Sequence, residues 1–414
     1  MNALDNATVA RVVFDLIDDG IRRHRERGLR AEPSFDQTEL GSFSLGPDGA
    51  DLDSLELLGA AGHVNEFFRL HESGVEDVLL RKRRIGEWAE IVLHGLSEGT
   101  SGVTFATSGT TGTPKQVTHS WATLEQEITF LAEVFSTRSR VISTVPAHHI
   151  YGFLFTVLLP THRELPTLSF SWEQLGDLKK HIAPGDLVVS HPTLWRYLSQ
   201  SVTSRPKGVW GTSSTAPLPA DIHTRVRRAG IERLIEIYGS TETGGVGMRE
   251  RPEDPFELFP YLSPEADSRL ERRNPDGTSE QLELQDRIEW VDGRRFFPRG
   301  RIDRVVQIGG ENVNLDHVES VLGEIPGVES ARVSLKDVDG EPRLAATVVA
   351  SPGRSPAPTE EAVQAFARER LRSAERPVSV TIGSEAQGNE EGGALSGGDV
   401  AGDGEAGGGD GVRR

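Results

Sequence analysis

The sequence predicts an α/β protein with a helical segment ahead of it and a small α+β domain behind. Three observations carry this. Residues 98–300 alternate β-like and helix-like pieces, the alternation changes character near residue 301, and residues 1–97 show helical periodicity.

The elements follow in order. Val9, Val13, Leu16, Ile17 and Ile21 recur at helical spacing behind a cap candidate at Asp5 or Asn6. A loop rich in Ser, Gly, Asp and Pro runs to about residue 52. A second helical pattern covers residues 54–68 through Leu55, Leu58, Val64, Phe67 and Phe68, and Ile85, Trp88, Ile91 and Val92 close the segment. So few short helices bury a small core and are marginal unless they lean on a neighbour. In residues 98–300, the runs 103–105, 141–145, 186–190, 208–212 and 234–238 read as strands, with helical stretches between them, the first at 121–135. This pattern predicts a largely parallel sheet, where ligands sit at the carboxyl ends of the strands. From residue 301 to 384, β-like runs at 301–308, 328–335 and 343–350 and helical runs at 315–322 and 360–371 form the small domain. Residues 385–414 hold 11 glycines and 7 acidic residues and almost no bulky apolar side chains, so they are expected to be disordered.

Composition excludes several classes. The formal charge is −18, with 63 acidic against 45 basic residues, which argues against a nucleic-acid partner but permits a small anion in a locally positive pocket. There is no cysteine, hence no disulfide, thiolate metal site or cysteine nucleophile. The N-terminus has no basic start and apolar core of a secretory signal. No run reaches the roughly 18 apolar residues that span a bilayer. The expectation is a soluble cytoplasmic protein.

The most informative stretch is Thr107, Ser108, Gly109, Thr110, Thr111, Gly112, Thr113, Pro114 and Lys115, between a β-like run and a helix-like one. Small side chains, open backbone N–H groups and one cation suit a polyphosphate. A kinase-type phosphate loop needs Gly-Lys-Ser/Thr opening a helix, and Pro114 separates the last glycine from Lys115. Three further segments follow in order: His149-Ile150-Tyr151-Gly152, Tyr238-Gly239-Ser240-Thr241-Glu242, and Gly300-Arg301-Ile302-Asp303. Asp286 stands between the last two. A metal site from His148 and His149 is not expected, because neighbours on a strand point to opposite faces.

Together these motifs, over residues 101 to about 335, resemble the adenylate-forming superfamily of acyl-CoA synthetases, nonribosomal adenylation domains and luciferases. The resemblance implies a shortened adenylate-forming core that binds ATP and Mg²⁺. The loop Thr107 to Lys115 would wrap the β- and γ-phosphates, Thr241 would contact the α-phosphate, and Glu242 would hold Mg²⁺. Tyr238 would stack on adenine, and Asp286 and Arg301 would bind the ribose hydroxyls. Asp303 would serve as a hinge. His149, the stretch 190–197 with Trp195 and the loop 211–218 would wall the acyl pocket, whose aromatic residues suit an aromatic acid. A carboxylate would attack the α-phosphorus in line as pyrophosphate leaves, a step governed by positioning and charge stabilisation.

The sequence departs from the family at both ends. Ahead of the glycine loop, residues 1–97 resemble an acyl carrier protein. Asp53-Ser54-Leu55 matches a phosphopantetheine attachment site, though Asp51 stands where carriers keep glycine, and Ser54 could instead be an N-cap. Arg84-Ile85-Gly86-Glu87-Trp88 resembles the start of a carrier's last helix. At the other end, the family's adenylation lysine has no counterpart. No lysine follows Lys336, Gly393 stands where one is expected, and Gln307 replaces another common lysine. Two readings follow. One is an acid–thiol ligase that activates an aryl or fatty acid and passes it to CoA or a carrier protein. The other is a nucleotide- or acyl-binding protein impaired in catalysis.

Overall fold

The computed structural model describes residues 4–22, 40–107, 115–171, 174–201, 207–266, 268–302, 304–309, 311–338, 341–351 and 358–383. The residues from Ser108 to Gly112 in the glycine loop, Asp303, Gly393 and the glycine-rich tail lie outside them.

The centre is a nine-stranded sheet. Its spatial order is Asp286–Trp290, Arg295–Arg301, Phe256–Leu258, Gly244–Arg249, Ile231–Ser240, Val209–Ser213, Asp186–Ser190, Arg140–Ser143 and Thr167–Ser169. The last five run parallel. The first four attach antiparallel, so the expected parallel sheet is only one half of the observed one. The difference lies in the connections. Short turns rather than crossover helices join the strands between residues 231 and 258, and a turn permits only antiparallel pairing.

Alternation along the strands sorts the sheet's two faces. Val141, Leu187, Val189, Ile235 and Ile237 enter one apolar cluster, and Ile142, Val188, Val209 and Leu234 enter another. The second cluster lies under the helices Leu175–His181, Pro192–Ser201 and Ala220–Arg228. The first is the larger. It joins the helices Trp121–Val134 and Ile150–Phe153 to the N-terminal helices Asn6–Arg22, Ser54–Phe68 and Ile85–Glu98.

The N-terminal helices therefore share one core with the sheet, and no break in packing marks residue 97. Phe67 meets Phe105 and Phe153 edge-on, with ring centroids 5.3 and 5.5 Å apart. Arg11 is buried and donates to Thr156 through Nη1 (3.1 Å) and, through Nη2, to its carbonyl. Asp5 accepts from Thr8 N at 2.8 Å and so caps its helix as expected. In the second helix the cap is Asp53 rather than Ser54. Its Oδ1 accepts from Leu55 and Glu56 N, and Glu56 accepts from Asp53 N, a reciprocal capping box.

The small domain has its own apolar cluster, built on the strands Val328–Val338, Glu341–Ala350 and Ser379–Gly383 and the helices Leu315–Gly323 and Glu360–Arg370. Gly300 (φ +88°) and Arg304 (φ +52°) bracket the passage into it, and a left-handed backbone explains the glycine. One ion pair, Arg196–Glu341 at 3.1 Å, ties its hairpin to the helix Pro192–Ser201.

Candidate active site

The strands on either side of the glycine loop pair with each other. Gly102–Thr107 pairs antiparallel with Lys115–Ser120, and Thr107 faces Lys115 in register. A strand thus fills the interval between the loop and the helical stretch expected at 121–135, which the sequence left unassigned. The helix Trp121–Val134 begins only after Ser120, whose hydroxyl caps it by accepting from Thr123 N at 3.1 Å. Lys115 is exposed at the loop's exit.

The hairpin reaches the second motif through His119. The His119 ring is buried, and its Nε2 lies 2.6 Å from the carbonyl oxygen of Thr241. A carbonyl only accepts, so Nε2 carries the proton. Burial holds this imidazole below its ordinary pKa, which favours the neutral ring. The strand leaving the glycine loop is thereby fastened to the turn that carries Thr241 and Glu242, both partly exposed.

That turn lies at the carboxyl end of Ile231–Ser240, where the sheet changes from parallel to antiparallel pairing. The turn is bonded to itself, since Ser240 N donates to Thr243 Oγ1 (3.1 Å) and Thr243 Oγ1 donates to Gly244 O (2.9 Å). It is also held from below. Glu127 Oε1 accepts from Gly245 N at 2.9 Å, and Arg272 Nη2 donates to Thr243 O at 2.7 Å.

Three of the expected nucleotide residues meet at the antiparallel edge. Asp286 faces Arg301 in register, and Tyr238 Oη donates to Asp286 Oδ2 at 2.7 Å. The Tyr238 ring is half-buried between Phe256 and Phe296, at 5.5 and 5.3 Å between centroids. Burial, and then the Asp286 carboxylate, hold the phenol far above its ordinary pKa, so it stays a donor.

The expected acyl-pocket walls converge only in part. Tyr151 is buried and donates to Ser190 O at 3.1 Å. The 211–218 loop is pinned where Glu236 accepts from Leu218 N (2.8 Å) and Arg249 Nε (2.7 Å). Trp195 does not face this region. It packs in the cluster on the other side of the sheet, its ring against Gly211, with Nε1 donating to Thr212 O at 3.2 Å. His149 is exposed ahead of the helix Ile150–Phe153, which lies against Gly244–Arg249. His148 and His149 are not on a strand, and their ring centroids come within 4.3 Å, so the opposite-face argument does not apply to them. No cluster of three or more metal-binding side chains occurs among the described residues. Ser54 is exposed at the first turn of its helix, roughly 20 Å along the axis from Phe67 at 1.5 Å per residue.

A family model described as AMP-binding enzyme matches residues 103–262, which span the hairpin and the Thr241–Glu242 turn. A 4-coumarate–CoA ligase of Halorhodospira halophila is 39% identical over 393 residues, covering 94% of this chain and 98% of that one. The chain belongs to the adenylate-forming family of acyl- and aryl-CoA synthetases. A 4-coumarate–CoA ligase of Cereibacter sphaeroides is 38% identical over 376 residues, 88% of this chain and 87% of its own. The o-succinylbenzoate–CoA synthetase of Bacillus subtilis shares the fold at a TM-score of 0.58 and 18% identity, over 70% of this chain and 67% of that one.

The adenylate-forming motifs did not point to the scaffold beneath them. His119 reads as one polar residue in an alternating run, and nothing in its neighbourhood names Thr241 as its partner. Glu127 and Arg272 did leave a signal. Each stands where an apolar residue is expected, Glu127 among Leu124, Ile128 and Leu131 on the buried side of its helix, and Arg272 two residues from buried Leu270 on its strand.

Proposed function

We propose that this protein activates a small carboxylic acid, of the arylpropenoic kind, with ATP and Mg²⁺ and transfers the acyl group to the thiol of CoA. The observation that carries this reading is near-full-length similarity to 4-coumarate–CoA ligases at 38–39% identity. In the first step a carboxylate oxygen bonds to the α-phosphorus and the bond to pyrophosphate breaks. In the second, the thiol sulfur attacks the acyl carbon and AMP leaves.

The residues take roles their chemistry permits. Tyr238, Asp286 and Arg301 offer an aromatic face, a carboxylate and a cation for adenine and ribose. Thr241 is a donor for the α-phosphate, and Lys115 with the loop from Thr107 neutralises the outer phosphates. Glu242 offers one carboxylate, which fits Mg²⁺ because that ion is commonly held by one or two carboxylates together with substrate phosphates. His149 and the 211–218 loop border the acid's pocket.

ATP–pyrophosphate exchange with a panel of aryl and fatty acids tests this reading, followed by mass detection of the CoA thioester. Exchange with hydroxycinnamate-type acids is expected. Intact ATP binding without exchange for any acid would instead support the impaired reading, which rests on the lack of lysine after Lys336. A carrier-borne thiol is the second acceptor class, favoured by exposed Ser54 in Asp53-Ser54-Leu55. Intact mass after incubation with a phosphopantetheinyl transferase and CoA reads it, and an unshifted mass removes it.

A further inference from the structure

Two ionisable side chains sit in the core directly beneath the Thr241–Glu242 turn. Glu127 and Arg272 are each 2% exposed, at positions whose patterns call for apolar residues. Burying such groups is costly, so they persist where they hold something. Both hold the same short piece of backbone: Glu127 Oε1 accepts from Gly245 N–H at 2.9 Å, and Arg272 Nη2 donates to Thr243 C=O at 2.7 Å. The glycines make this approach possible. A Cβ on Gly245 would lie 2.4 Å from Glu127 Oε1, and one on Gly244 (φ +68°) would lie 2.7 Å from Glu127 Oε2. Tyr261 packs beside the pair, with the Arg272 guanidinium 5.7 Å from its ring centroid.

We propose that Glu127 and Arg272 are positioning residues for acid activation: through Gly245 N–H and Thr243 C=O they fix the backbone that presents Thr241 and Glu242. This rests on the reading of that turn as the α-phosphate and Mg²⁺ site. The pair touches no substrate. Its effect is on how accurately a donor and a metal carboxylate are aimed, and misplacement by about 1 Å can cost on the order of a hundredfold in rate.

The test uses the full chain with an acid it accepts. Glu127→Leu is expected to raise KM for Mg·ATP about tenfold while KM for the acid stays within about threefold. Amide hydrogen exchange in residues 240–249 should quicken in parallel. Glu127→Gln keeps an oxygen for Gly245 N–H and should return both readouts to within about threefold of wild type. Should Glu127→Leu not fold, Arg272→Lys reads the same turn through Thr243, with the same rise in KM and exchange expected. The proposal is overturned if Leu and Gln behave alike, or if neither Glu127→Leu nor Arg272→Lys moves KM for Mg·ATP or exchange in 240–249. If wild type turns over no acid, the ligase reading falls, while hydrogen exchange in the variants still decides whether the pair fixes the turn. Unchanged exchange there overturns the proposal too.

Discussion

Tyr238 donates its phenolic hydrogen bond to Asp286 across 2.7 Å, joining the end of a central strand to the sheet's antiparallel edge. Asp286 in turn stands opposite Arg301, the last residue of its strand. An aromatic face, a carboxylate and a cation are thus set in one row by a register and one hydrogen bond. Tyr238→Phe keeps the ring and its packing on Phe256 and Phe296 but loses the donor to a carboxylate, worth about 1.5–3 kcal/mol. KM for ATP should rise several-fold with kcat little changed. Asp286→Ala, which removes the carboxylate itself, should raise it about tenfold or more. Steady-state ATP–pyrophosphate exchange separates the two. Equal KM values for Asp286→Ala and wild type would remove Asp286 from the nucleotide site.

Gly245→Ala should destabilise the protein through overpacking. The added Cβ would fall 2.4 Å from Glu127 Oε1 and 2.5 Å from the Phe259 ring, both in the core. Overpacking of this kind costs about 1–3 kcal/mol. Urea unfolding should show the loss, and a variant as stable as wild type would mean the turn relaxes without strain.

Four of the five strands of the parallel half, the order of the motifs and the helices at 315–323 and 360–370 were legible in sequence because they are written locally, as periodicity and as short runs of chemistry; the short edge strand Thr167–Ser169 was not. The hairpin strand Lys115–Ser120 was not, because its alternation is mostly polar and its partner lies across the glycine loop. His119 was illegible as a site residue for a related reason. It acts on the backbone carbonyl of Thr241, far along the chain, and a carbonyl carries no sequence signature. The packing of the N-terminal helices was half legible. Their small apolar set required a neighbour, and which neighbour depends on contacts such as Arg11 with Thr156, 145 residues apart.

Stability should depend on pH through Glu127 with a definite sign. Burial raises its pKa from 4.5 to about 7, opposed by the Arg272 charge and by Gly245 N–H. The folded state therefore binds a proton that the unfolded chain has already lost in this window. The contribution is fully present below pH 4.5 and is lost as pH rises through 7. It amounts to about 3 kcal/mol across the window, taking 1.36 kcal/mol per pKa unit. Glu127→Gln removes the titration. The stability of wild type relative to this variant should fall between pH 4.5 and 7, measured by urea unfolding at closely spaced pH values. A constant difference would show that the carboxyl is ionised throughout.

Arg11 and Asp15 tie the first helix to the segment on both sides of His149. Arg11 donates to Thr156, and Asp15 accepts from Ala147 N at 2.7 Å. Burial raises the Asp15 pKa to about 6, and the nearby Arg11 charge is the main influence lowering it. Arg11→Met keeps much of the apolar stem but leaves Asp15 without its cation and Thr156 without its donor. Breaking a buried charge arrangement from one side costs about 3–5 kcal/mol. Removing both charges, in Arg11→Met with Asp15→Asn, should cost less than the sum of the single changes by about 1–3 kcal/mol, because neither charge is then stranded. The functional consequence should be selective. Residues 147–156 carry His149 and Tyr151, proposed above to border the acid's pocket, on a turn and helix, while Tyr238 and Asp286 lie on strands. KM for the acid should therefore rise in Arg11→Met while KM for ATP holds. If both rise together, the first helix supports the whole sheet rather than the acid pocket.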